Sequence, residues 1–276
     1  MVDKPKPRQQ TQSPRWKAQK ASSGKRLMTS ASGIHNDDAG IFVTCDKGQE
    51  VKCLREMDDI LSEYIHSHLE APPNEAAAET TKGDGDIEED IEKELESLKS
   101  SSTNQKKPYT FVRLEIACVS FIRTQPPLDP VNLVLQICEK AYSGSSRQRS
   151  RYVKRLTPVS CIRKTLGNGL EQLCEEVLRP VFGDSTITKK FAIRSNIRNN
   201  EQLSRDVVIK TVADAVTRLG SSHSVDLTNY DCLILIEVYR NVCGMSVVGS
   251  DFEKLKRFNL SEIYQASAHE GRSTQE

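Results

Sequence analysis

With 276 residues, 37% of them hydrophobic and 5% aromatic, the chain has room for one or two domains but is too polar to be folded throughout. No apolar run approaches the roughly 20 residues of a membrane span, and the basic N-terminus lacks an apolar signal core; the expectation is a soluble intracellular protein of the nucleus, nucleolus or cytoplasm. The formal net charge of +1 hides three separate blocks. Residues 1–29 carry eight cations against Asp3, residues 68–100 carry eleven acids against Lys82, Lys93 and Lys99, and residues 147–198 carry twelve Lys and Arg against four Glu and Asp.

Residues 1–38 predict a disordered basic tail. Gly40–Cys45 reads as a short strand, followed by a helix with Val51, Leu54, Met57, Ile60, Leu61, Tyr64 and Ile65 on one stripe. Residues 70–107 read as a solvated acidic insert. Order resumes with strands over Phe111–Leu114 and Ala117–Ile122. Asp129 and Pro130 then supply an N-cap and a first-turn proline for a helix that buries Leu133, Val134, Ile137, Cys138, Ala141 and Tyr142.

The basic segment begins with Arg147, Arg149 and Arg151 in a Ser-rich loop and continues as one strand over Tyr152–Ile162. A helix over 167–182 follows. Phe191, Ile193 and Ile197 alternate with Lys190, Ala192, Arg194, Asn196 and Arg198, the pattern of a half-buried strand. Ser204 caps a helix to Leu219. Cys232–Val238 is apolar on both sides, as a covered central strand requires, and Val242–Val248 reads as its hairpin partner. Short helical pieces at Asp251–Arg257 and Leu260–Gln265 precede a tail that reads as disordered after Ser267.

This alternation predicts an α/β domain over 123–250, preceded by a small α+β ferredoxin-like unit over 39–122 that the acidic insert interrupts, with short helices and a disordered tail over 251–276. The eight cysteines include no C-x-x-C pair and mostly sit in apolar runs, so they read as small buried side chains; no metal site and no cofactor are expected. Gly167-Asn-Gly169 reads as a helix cap, the five histidines are scattered, and Asp226 reads as a turn residue. A nucleophile, a base and an oxyanion donor do not come together. Lys154 and Arg155 on one strand, and Lys190, Arg194 and Arg198 on another, suit phosphate contacts, with Arg151 just before them. Charge alone leaves RNA binding and an ordinary solvated face equally open.

Separated motifs in order carry a resemblance. Arg151–Val159, Arg194–Asn200, Ser204–Val208, Val225–Asn229 and Leu233–Val238 make the segment from Phe121 to Val248 similar to the THUMP domain, an RNA-binding module of tRNA-modifying enzymes. Gly40–Cys45, Val119–Thr124, Cys243–Val248 and Lys256–Leu260 resemble in particular the eukaryotic adaptor subgroup of that family. The resemblance implies a ferredoxin-like unit and a THUMP domain that together grip the tRNA acceptor end. In that subgroup the protein is not itself an enzyme; it presents serine and leucine tRNAs to a separate RNA cytidine acetyltransferase, which forms N4-acetylcytidine in the D-arm. The short stretch after Val248 fits that expectation. A general RNA-binding protein of RNA processing or ribosome biogenesis and a stand-alone RNA-modifying enzyme stay open as alternatives. Carried onto this chain, the contacts are Lys154, Arg155, Arg194 and Arg198, while Asp226 and Asn229 shape a loop. Tyr230 departs from the family pattern, which often has Pro there.

Overall fold

The computed structural model describes residues 33–68, 107–144, 150–184, 186–220 and 222–273, the backbone of 29–30, and side chains as far as 267. Nearly all of the basic tail and the acidic insert, together with Arg147 and Arg149, lie outside the described residues.

The first unit opens with β1 (Thr29–Ser30) and β2 (Ala39–Thr44), followed by α1 (Glu50–His68), β3 (Tyr109–Arg113), β4 (Val119–Thr124), α2 (Pro130–Tyr142) and β5 (Leu156–Val159). From β2 onward this is a β-α-β-β-α-β unit of ferredoxin-like order, with β1 added at the edge: the sheet runs β1-β3-β4-β2-β5. The strand β2 is apolar on both faces because both are covered. Ile41 and Val43 join the core under the helices, while Phe42 packs on Phe121 with ring centroids 4.9 Å apart, toward the second unit. The N-cap of α2 forms as expected: Asp129 accepts from the Asn132 N–H at 2.8 Å.

The structure therefore groups α2 and β5 with the first sheet, not with the later module as the expected division at 122/123 has it. β5 pairs antiparallel with the open edge of β2, and α2 shares one core with α1. The expected single strand over Tyr152–Ile162 is broken for the same reason. β5 ends at Val159, and β6 (Cys161–Lys164) belongs to the other sheet, so Ser160 is the crossing point; its N–H donates to the Met245 carbonyl at 2.9 Å.

The second unit continues with α3 (Gly169–Phe182), β7 (Lys190–Arg198), α4 (Arg205–Leu219), β8 (Ser224–Val225), β9 (Cys232–Tyr239) and β10 (Val242–Gly249). Its sheet runs β6-β10-β9-β7-β8, antiparallel through β9 and parallel beyond it. Helices α3 and α4 cover one face, with Leu173, Leu178, Phe182, Val208, Val212 and Val216 buried against Ile234 and Ile236. The other face meets the first unit, where Leu233, Leu235 and Val248 join its core. Both faces of β9 are thus covered, which explains its apolar run from Cys232 to Ile236. Buried Ser246 ties the units together by donating to the Pro158 carbonyl at 2.7 Å.

Four expectations change at the level of single elements. On α1, Cys53 takes the buried place expected for Val51, which is 60% exposed in the first turn of the helix. Tyr142 is likewise exposed at the last turn of α2. The segment 33–38 is ordered, since the Asp37 N–H donates to Ile162 and Asp38 pairs with Arg123 at 2.7 Å, and Thr29–Ser30 pairs with β3. After two 3-10 turns (Ser250–Phe252 and Lys256–Phe258), α5 runs over Leu260–Ser273, well past the expected Gln265. Leu260 and Ile263, fully buried in the first unit's core, hold its start.

Candidate nucleic-acid interface

The helix-free face of β7 carries Lys190, Ala192, Arg194, Asn196 and Arg198 at alternate positions, as period-two geometry requires. Neighbouring β9 is in parallel register, so Arg194 lies opposite Leu235 and Asn196 opposite Glu237. Lys154 and Arg155 come from the approach to β5, across the seam between the units. They are fixed there by backbone bonds: Lys154 N–H to the Thr44 carbonyl at 2.8 Å, Arg155 N–H to Thr44 Oγ1 at 3.0 Å, and Leu260 N–H to the Lys154 carbonyl at 2.7 Å. Of the expected cations, Arg155 from the first unit and Arg198 from the second both act on the Glu237 carboxylate, whereas Lys190 and Arg198 stand at opposite ends of β7.

Most of them already have a partner. The Lys190 ammonium lies 3.2 Å from Asp226, and Lys154 lies 3.4 Å from Asp46. Arg194 sits 2.9 Å from Glu253, with its guanidinium over the Phe252 ring at 5.2 Å. Arg198 is clamped on Glu237, a carboxylate only 5% exposed that also accepts from Asn196 at 3.3 Å. Burial pushes the Glu237 carboxyl up, against the pull of Arg198 and Asn196 and the nearby charge of Arg155. Arg155 and Arg151 are exposed and have no ion pair among the described residues; Arg151 lies over the Tyr152 ring at 5.6 Å.

Asp226 shapes its loop by accepting from the Asn229 and Thr228 N–H groups at 2.8 and 3.0 Å. Those two bonds, with Lys190, hold its carboxyl below the usual carboxylate range.

Three contributors lay outside sequence reasoning. Glu56 of α1 accepts from Ser150 Oγ at 2.5 Å, from Arg151 N–H at 3.1 Å, from Tyr152 N–H at 3.1 Å and from Val153 N–H at 3.2 Å, which fixes the base of the basic loop. Glu253 holds Arg257 at 2.8 Å as well as Arg194. Arg257 is the centre of three consecutive left-handed residues, Lys256, Arg257 and Phe258, with φ of 51°, 57° and 56°. Each costs a non-glycine residue roughly 1–2 kcal/mol, and the buried Phe258, Leu255 and Phe252 around them supply the anchoring. The Lys256–Leu260 motif was visible in the sequence, but nothing local signals this conformation.

Burial raises the thiols of Cys45 and Cys243 to about 11 and those of Cys161 and Cys174 to about 12, so they stay protonated and weakly nucleophilic. Asp37, Cys161 and Glu176 lie close enough to share an ion, but Arg163 occupies the group, 2.5 Å from Asp37 and bonded to Glu176. Among the described residues no helix is long and apolar enough to cross a membrane.

The THUMP domain family model matches residues 168–248. An uncharacterised protein of Schizosaccharomyces pombe is 35% identical over 237 residues, spanning 85% of this chain and 78% of its own length. The Saccharomyces cerevisiae "tRNA acetyltransferase TAN1" is 30% identical over 261 residues, spanning 88% and 90%. The human "THUMP domain-containing protein 1" is 28% identical over 231 residues, spanning 82% and 64%. Among solved structures, the THUMP domain of THUMP domain-containing protein 1 aligns at 34% identity and a TM-score of 0.27, covering 29% of this chain and 82% of that one. A 4-thiouridine synthetase–RNA complex with bound ATP aligns at 10% identity and a TM-score of 0.41, covering 77% and 42%.

Proposed function

The chain belongs to the THUMP-domain family, and from that premise we propose that it is a tRNA-binding adaptor. It presents tRNA, with serine and leucine tRNAs among its substrates, to a separate RNA cytidine acetyltransferase for N4-acetylcytidine formation in the D-arm, and does no chemistry itself. The observation that supports this reading is the meeting of Arg155 from the first unit and Arg198 from the second at Glu237, with Arg194 on the same face of β7. RNA duplexes are recognised largely through phosphate, 2′-hydroxyl and shape, and a seam of guanidiniums fixed on two rigid sheets suits that task. The yeast relative's name ties the family to tRNA acetylation. We assign the protein to the nucleus, nucleolus or cytoplasm, where such tRNAs are available.

The name of the Saccharomyces cerevisiae relative also favours a second reading, in which the chain is itself the transferase. Two measurements separate the readings. Mass spectrometry of tRNA nucleosides from cells lacking the protein is expected to show selective loss of N4-acetylcytidine; unchanged levels would sink the adaptor assignment. Purified protein incubated with tRNA, acetyl-CoA and ATP is expected to yield no acetylcytidine until the partner enzyme is added. Product formed by the chain alone would establish the second reading.

A further inference from the structure

Several buried polar side chains have no bond among the described residues, and Tyr230 is the one that lies beside Glu253, Arg194 and Arg257. Tyr230 is only 7% exposed, yet its hydroxyl has no hydrogen-bond partner among the described residues. Buried hydroxyls are mostly paired, so an orphan leaves a donor open to a ligand or a water. The charges that act on this phenol are those of Glu253, Arg194 and Arg257, so it sits beside that ion-paired group. Both guanidiniums are held rigidly. Arg194 stacks on Phe252, which packs edge-on against Phe258 with ring centroids 5.0 Å apart, and Arg257 is set by the left-handed turn. Glu253 is their shared counter-charge. With Glu262 also acting on Arg257, what the group offers at one spot is guanidinium N–H groups and an unused O–H donor.

We propose that Tyr230, Arg194 and Arg257 form a preassembled subsite for one RNA backbone phosphodiester, with Glu253 acting as the positioning residue that keeps the two guanidiniums aimed before RNA arrives. The oxygens of a phosphodiester accept from the Tyr230 hydroxyl and from guanidinium N–H groups. The subsite rests on the tRNA-binding reading and extends it to the turn after β10, where the sequence alone marks no contact. Left-handed strain at Lys256–Phe258 then has a use: it aims Arg257 at a site that regular backbone would miss.

The test uses the full chain and labelled tRNA in a salt titration of binding. Tyr230→Phe removes only the donor and is expected to weaken binding about tenfold with an unchanged melting temperature. Arg257→Gln is expected to lower the log–log salt slope by roughly one. Glu253→Gln, which loses the ion pairs that aim Arg194 and Arg257, is expected to weaken binding, and Glu253→Asp to restore part of it; binding unchanged in Glu253→Gln would remove the positioning role. Removing the 5′-phosphate of the tRNA is expected to leave the Tyr230 effect intact; its disappearance would assign the site to a terminal phosphate and overturn the backbone assignment. If Tyr230→Phe melts early, Arg257→Gln decides alone. Wild-type protein that binds no tRNA would sink the functional reading. Wild-type binding with affinity and slope unchanged in Tyr230→Phe and Arg257→Gln would sink the subsite only.

Discussion

The Arg198 guanidinium grips the buried Glu237 carboxylate from the adjacent strand, so a cation that the sequence offers to RNA is committed inside the fold. Arg198 is only partly exposed, and Asn196 completes the carboxylate's bonds. The pair orders the face on which Arg155 and Arg194 stand.

Removing one member of a buried pair strands the other. Arg198→Ala is expected to destabilise the protein by about 2–4 kcal/mol in urea unfolding. A double-mutant cycle with Glu237→Ala is expected to show coupling of about 1–3 kcal/mol. Additive single effects would show that the two side chains do not depend on each other.

Arg155 is exposed and free of ion pairs among the described residues, while Arg194 shares Glu253 with Arg257. Arg155→Ala combined with Arg194→Ala is expected to weaken tRNA binding and to reduce the salt slope by between roughly one and two. An unchanged slope across the titration would remove the seam from the interface.

Glu56 satisfies Ser150 and three successive backbone N–H groups. Glu56→Ala is expected to cost about 1–2 kcal/mol. It should also speed amide exchange at Tyr152 and Val153. Exchange as slow as in the wild type would show that the loop is held by something else.

The acids of the seam respond to pH in opposite directions. Burial raises the Glu237 carboxyl in the folded protein, so its contribution is present below the ordinary carboxylate value and is lost as pH rises through the raised one. Glu253 behaves the other way. Burial works against its charge, but Arg257 and Arg194 outweigh it, so its contribution is present above the ordinary value and is lost as pH falls through the depressed one. Melting curves against pH are expected to lose in Glu237→Gln the decline that accompanies deprotonation of that carboxyl, and in Glu253→Gln part of the acid-side decline. Identical profiles in all three proteins would contradict both assignments.

Much of the fold was legible because its signals are local. The caps at Asp129 and Ser204, the alternation along β7 and the two-sided apolar run of β9 each depend on neighbours a few residues away. The division between the units was not legible, because β5 belongs to the first sheet only through its pairing with β2, more than a hundred residues earlier, and a single apolar stretch conceals the crossing at Ser160. The cationic residues were visible in the same way, but their availability was not. Lys154, Lys190, Arg194 and Arg198 meet acids from Asp46, Asp226, Glu253 and Glu237.

By itself, then, the sequence determined which elements form and which residue types could meet a polyanion, since hydrophobic period, capping and charge are written in short windows. Only the tertiary structure decided which cations share a seam, which are neutralised there, and where Tyr230 is left with an unused hydroxyl, since those outcomes depend on distances between residues far apart in the chain.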